Sequence, residues 1–162
     1  MSKSKVTVKD HGLDAFMRTI KAFSGLGGLR AKVGIQGPQA EKVGKREGGP
    51  TNVELGTIHE FGAPSVGIPA RPFLRPVADE RMPHWRTRLR EEAEAAIAGR
   101  VDPRRALVTV GEEFRTAVID RIKAHIDPPL AESTIARKGE DVPLIDTGSL
   151  VGSISSVVGP KE

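Results

Sequence analysis

Along residues 103–126 the apolar positions Leu107, Val110, Phe114, Ala117, Val118 and Ile122 recur at helical spacing, which puts them on one face of a helix. Asp102-Pro103 supplies an N-cap followed by a first-turn proline, and Asp127-Pro128-Pro129 stops the stripe near Ile126. A shorter stripe of Leu13, Phe16, Met17 and Ile20 predicts a helix over 10–23, with Asp10 as its cap. The glycines of Ser24 to Gly28 end it. The period then changes to two: Leu29, Ala31, Val33 and Ile35 alternate with Arg30, Lys32, Gly34 and Gln36, as in a half-buried strand.

Residues 37–50 are rich in Gly, Pro and charged positions without periodicity, and read as a mobile basic loop, disordered or ordered only by a partner. Thr51 or Asn52 can cap a helix carrying Val53, Leu55, Ile58 and Phe61, with Gly62 at its C-terminal end. Four prolines in 63–76, "APSVGIPARPFLRP", predict an extended arm, unless Pro72 opens a helix. Helix-forming residues fill 76–98, with Pro83 either starting a second helix or kinking the first. A short helix over 131–137 and a charged loop over 138–143 follow. Asp146 then stands as the cap of a helix containing Leu150, Val151 and Ile154, before a last strand over 155–158. The expected fold is a single α+β domain over 1–162. Its small antiparallel sheet is packed by helices 10–23 and 103–126, with the Gly/Pro-rich loop and arm extending from it.

Composition narrows the function. The chain has 162 residues and no cysteine, so disulfide, thiolate and zinc-thiolate chemistry are excluded. No signal peptide or apolar run of membrane length is read, which predicts a chain made and assembled in the cytoplasm. Charge is uneven: residues 1–50 hold 10 Lys+Arg against 4 Asp+Glu (+6), and residues 51–162 hold 15 against 17 (−2). Nine arginines and no lysines lie in 71–105. A basic N-terminal third and an arginine-rich helix suit a polyanion or an acidic protein surface, with Lys42, Lys45, Arg46, Arg86, Arg88 and Arg90 as candidate contacts; the alternative is a solvated surface, with Glu91, Glu92 and Glu94 beside the helix arginines. Five Phe, one Trp and no Tyr supply no stacking platform for single strands.

Candidate catalytic motifs fail on spacing. His59-Glu60 would begin a zinc-binding HExxH, but position 63 is Ala, and no two of the four histidines are spaced three or four apart. The glycines of "SGLGGLR" match neither phosphate-loop pattern, and no GxSxG elbow exists. "PLIDTGSL" at 143–150 reads like an aspartic protease loop, which needs a second carboxylate and a strand-rich flap. Only 14 residues follow Gly148, and they read as a helix and a strand. No metal or cofactor site is expected.

Two segments, "IHEFGAPSVGIPARPFLRP" (58–76) and "PPLAESTIARKGEDVPLIDTGSLVGSI" (128–154), together resemble the small virion-morphogenesis proteins of tailed bacteriophages, the neck and tail-completion components of lambda-like and Mu-like phages. They span 46 of the 162 residues. The resemblance implies a non-catalytic virion protein at the head-tail junction or the top of the tail tube, assembling as a ring, hexameric or related, around the DNA channel. It implies contact with tail terminator, tail tube and head-closure proteins, no membrane, and an interface built from Phe61, Ile68, Pro69, Arg71, Pro72, Phe73, Leu74 and Arg75. The rival expectation is a nucleic-acid-binding protein using the basic N-terminal third and the arginine-rich helix.

Overall fold

The computed structural model describes residues 27–42, 49–124, 126–130, 132–138, 144 and 148–160. The predicted helix over 10–23 lies outside them.

Strand β1, Leu29–Ile35, pairs antiparallel with β2, Ile154–Pro160, in a register that sets Leu29 opposite Pro160 and Ile35 opposite Ile154. This joins a strand near one end of the described chain to the strand at the other. The alternation read in the sequence decides the faces. Ile35 and Ile154 belong to the same side as Ala31 and Val158, while Arg30 and Lys32 take the other. A two-stranded ribbon is marginal alone, and here it lies on the longest helix, α4, which runs Pro103–Lys123.

Six helices occur among the described residues: α1 Asn52–Phe61, α2 Arg75–Glu80, α3 Met82–Ile97, α4, α5 Glu132–Lys138 and α6 Ser149–Ser153. The fold is therefore α+β, a small antiparallel sheet with helices packed on it. In α4 the predicted cap is present, Asp102 accepting from the N–H groups of Arg104 and Arg105 at 2.9 and 3.2 Å. The apolar stripe faces inward, and Val118 and Ile122 are fully buried. Each such side chain contributes about 1.5–3 kcal/mol relative to exposure. Gly111 lets α4 lie close on the ribbon, because a Cβ there would run into Ser156 Oγ and sit 3.7 Å from the Ala31 Cβ.

Antiparallel to α4 runs α3, and Trp85 fixes the pair. Its ring meets Phe114 at 5.1 Å and its Nε1–H donates to the Val77 carbonyl at 3.2 Å. Phe73, Val77, Trp85, Val110, Val118, Ile122, Ile126, Leu144, Leu150 and Ile154 form one core cluster with their neighbours.

Several expectations change. Pro83 starts a second helix, α3, after a break at Arg81. The stripe helix stops at Lys123, where the Ala124 N–H turns back to the carbonyls of Asp120 and Arg121, yet Ile126 still reaches the core. Ile154 opens β2 instead of closing a helix, since the Ser153 hydroxyl donates to the Leu150 carbonyl at 2.6 Å and ends α6. The loop expected over 37–50 is ordered in its first half. Gly37–Gln39 is a 3-10 turn, Ala40 is buried, and the carbonyls of Ala40 and Lys42 accept from Val53 and Asn52. Positions 43–48 are outside the described residues.

The arm over 63–76 is not extended. Pro64–Val66 forms a 3-10 turn, Gly67 takes a left-handed φ of 72°, and Ala63 and Ile68 bond each other's backbones at 2.8 and 3.1 Å. Proline in the first turn starts a tight helix as readily as it extends a chain, and the glycine lets the loop close.

Candidate functional site

The two segments singled out in the sequence meet in space around the C-terminal half of α1. Thr51 begins this helix with a capping box, its hydroxyl accepting from the Glu54 N–H at 3.2 Å while Glu54 Oε2 accepts from the Thr51 N–H at 2.8 Å. Thr51 thus takes the cap and leaves Asn52 free for another task. Asn52 is wholly buried, donates to the Gln39 carbonyl at 2.7 Å and exchanges hydrogen bonds with the Ser149 hydroxyl at 3.0 and 3.1 Å. One turn on, Gly56 makes room for Ile35 of β1: a Cβ there would run into that side chain, while Leu150 of α6 would stand at an ordinary 3.7 Å.

At the other end of α1, Glu60 is 8% exposed. Burying a carboxylate is costly unless its charge is answered. Glu60 accepts from the backbone N–H groups of Phe73, Leu74 and Arg75, each at 2.9 Å, and lies 3.7 Å from the Arg75 Nε. Those donors enter α2, whose cap residue Leu74 has no side chain able to accept. The preceding helix therefore caps the following one through Glu60, at about 1.5–3 kcal/mol for each bond to a charged acceptor.

The turn between them depends on Gly62. Its φ is 75°, and a Cβ would stand 2.8 Å from the Ala70 nitrogen and 3.1 Å from the Ile68 oxygen. Arg71, 5% exposed, donates from its backbone to the His59 carbonyl at 2.7 Å. Its guanidinium donates from Nε to the Pro128 carbonyl at 2.6 Å and from Nη2 to the Pro129 carbonyl at 2.8 Å. This bond joins the first segment to the second. Leu144 and Leu150, on either side of Asp-Thr-Gly, are both buried in the core.

What remains on the surface is an apolar edge. Phe61 is 63% exposed with the Arg75 guanidinium 4.9 Å from its ring centroid, and Val66 at the tip of the closed loop is 70% exposed. Glu60, Phe61, Ala70, Pro72, Arg75, Pro76 and Asp79 line a hollow of about 490 Å³. Of the residues expected at an interface, Phe61, Pro69 and Arg75 are exposed, while Ile68, Pro72 and Leu74 are half-buried. Arg71 and Phe73 are not available to a partner. Both are buried inside the chain, because the arm folds onto α1 and does not project from it.

In the arginine-rich helix the arrangement seen is the one with nearby glutamates. Arg88 is taken up by carboxylates of its own chain: Glu91 at 2.7 Å, Glu92 at 3.2 Å and Glu113 at 2.9 Å. The hydrogen bond to Glu113 raises the Arg88 pKa, and the same bond holds the Glu113 carboxyl below its ordinary range. Arg90 lies 3.9 Å from Glu94 and both are well exposed, as is Arg86. Lys42 is exposed; Lys45, Arg46 and Asp146 lie outside the described residues. The residue in the cap position of α6 is Gly148, with no side-chain bond.

Sequence reasoning noticed Glu60 only as half of a failed zinc motif, and treated Asn52 as an alternative cap. Their partners are 13 to 97 residues distant, so no local spacing signals them. Among the described residues no group of three or more His, Asp or Glu could hold a metal ion, and no helix is long and apolar enough to cross a membrane. Compared with family models, with curated proteins and with solved structures, the chain matches none.

Proposed function

We propose that the chain is a structural subunit of tailed-bacteriophage particles, acting at the head-tail junction or the top of the tail tube as one copy in a ring around the DNA channel. One observation carries the reading: the segments 58–76 and 128–154, on which the resemblance rests, are joined by the two bonds from Arg71 to Pro128 and Pro129. Glu60, Arg71 and Asn52 spend their hydrogen bonds on the chain itself, and what they leave outward is an apolar edge of Phe61 and Val66. That division suits a part that is held rigid and docks on neighbours.

Electron microscopy of particles from a phage with this gene disrupted tests the reading. Full heads beside unjoined or abnormally ended tails are expected, with joining restored by the gene in trans. Normal joined particles from the disrupted phage would contradict it.

A further inference from the structure

We infer that the end of the domain where α3 turns into α4 beside the ribbon is a contact surface for the phosphate backbone of duplex DNA, with Arg100, Arg104 and Arg105 as its cations. The inference goes beyond the subunit reading above and stands on the charges of the described residues.

Five arginines of α2, α3 and α4 are answered within the chain: Arg75, Arg88, Arg90, Arg115 and Arg121 each have a carboxylate at 3.9 Å or less. The turn from α3 into α4 is different. Arg100, Arg104 and Arg105 are exposed, and none of the three has an ion pair among the described residues. Asp102, the one carboxylate in 98–111, accepts from the N–H groups of Arg104 and Arg105 and serves as the cap of α4. The Arg104 guanidinium reaches the ribbon instead, its Nη2 donating to the Val158 carbonyl at 2.9 Å. Next to Val158, Val157 is paired with Lys32, which is exposed. The ribbon segments 27–40 and 148–160 contain no Asp or Glu.

Three guanidinium groups with no carboxylate of their own chain to meet keep their charge for an outside anion. Each presents N–H forks that match phosphate oxygens. No aromatic side chain occurs in 27–40, 98–111 or 148–160, so bases have nothing to stack on. The contact is therefore with the backbone of an intact duplex, without sequence preference. An acidic protein would also meet the arginines, but a protein interface needs an apolar centre. The exposed apolar side chains nearby are Val108 on α4 and Val157 on the ribbon face turned away from it, and they form no such centre.

Fluorescence anisotropy of a labelled random-sequence DNA duplex, titrated with the full chain at several salt concentrations, tests the surface. Binding is expected whose affinity falls steeply with salt. Arg100→Gln/Arg105→Gln alters exposed side chains and leaves the Arg104 bond in place, so its melting temperature should match that of the wild type. It should bind about tenfold more weakly, with a log–log salt slope shallower by about 2. Arg90→Gln/Arg115→Gln removes the same charge from carboxylate-paired positions and should leave affinity and slope near those of the wild type. No binding at low salt, or binding that Arg100→Gln/Arg105→Gln weakens no more than the paired variant does, overturns the inference. Displacement of the duplex by polyglutamate at equal charge concentration also overturns it, and assigns the patch to an acidic protein. A failure here leaves the head-tail joining experiment as the separate test of the subunit reading.

Discussion

Glu60 and Arg88 are each held by three or more partners, yet one lies in the bend between α1 and α2 and the other on the open face of α3 and α4. Glu60 is 8% exposed and its partners are backbone N–H groups 13 to 15 residues on, so its charge holds the chain path itself. Arg88 meets carboxylates whose side chains are 18–52% exposed, and water competes for every bond. More ion pairs are visible around Arg88. More structure depends on Glu60, because leaving a buried donor unsatisfied costs its full desolvation.

Substitutions can break that contrast. The largest effect is expected from Glu60→Ala, which orphans three N–H donors at the start of α2; denaturant titration should show a loss of about 3–5 kcal/mol. A loss below about 1 kcal/mol would place Glu60 in the same regime as Arg88. Next comes Gly62→Ala, where the added methyl meets backbone at 2.8 Å in a left-handed conformation. Thermal and chemical unfolding should both report about 2–3 kcal/mol. Arg71→Lys keeps the charge but not the fork that reaches two carbonyls, and about 1–2 kcal/mol should be lost in the same titration.

Smallest of all is Glu113→Gln. Its carboxyl is held below the ordinary value of 4.5 by the hydrogen bond from Arg88. A depressed folded pKa means that the stabilisation is present above the unfolded pKa and is lost as pH falls through the folded one. Wild type and Glu113→Gln should therefore differ slightly in melting temperature at neutral pH, and the difference should begin to shrink as pH falls below 4.5 and be gone once the folded carboxyl is protonated at lower pH. High salt should shrink it too. A difference that grows toward acid would reverse the assignment.

How much of this was legible in the sequence depends on the range of the interaction. Leu107, Val110, Phe114, Val118 and Ile122 announce α4 because their spacing is a property of one helix, and Asp102-Pro103 marks its start within three residues. Strand β1 was readable for the same reason. The partner of Glu60 was not, since a glutamate that caps the next helix looks like any helical glutamate until the turn at Gly62 brings the chain back. Four prolines suggested an arm in the open. Proline fixes one torsion and leaves direction to its neighbours, and Gly67 together with the Ala63–Ile68 bonds folds the segment onto its own domain. Phe61 belongs to the apolar stripe of α1 in the sequence, yet it is 63% exposed because the chain turns away at Gly62 directly after it. Arg71 and Phe73 were drawn inside by contacts that no periodicity contains.

Glu60 and Arg71 turn their bonds inward and leave Phe61 outward, so Phe61→Asp separates docking from folding. The side chain is 63% exposed, so its denaturation midpoint should stay close to that of the wild type. In phage supplied only with this variant, the account predicts folded protein and particles whose heads and tails fail to join. Normal joining with Phe61→Asp at wild-type protein levels would contradict it.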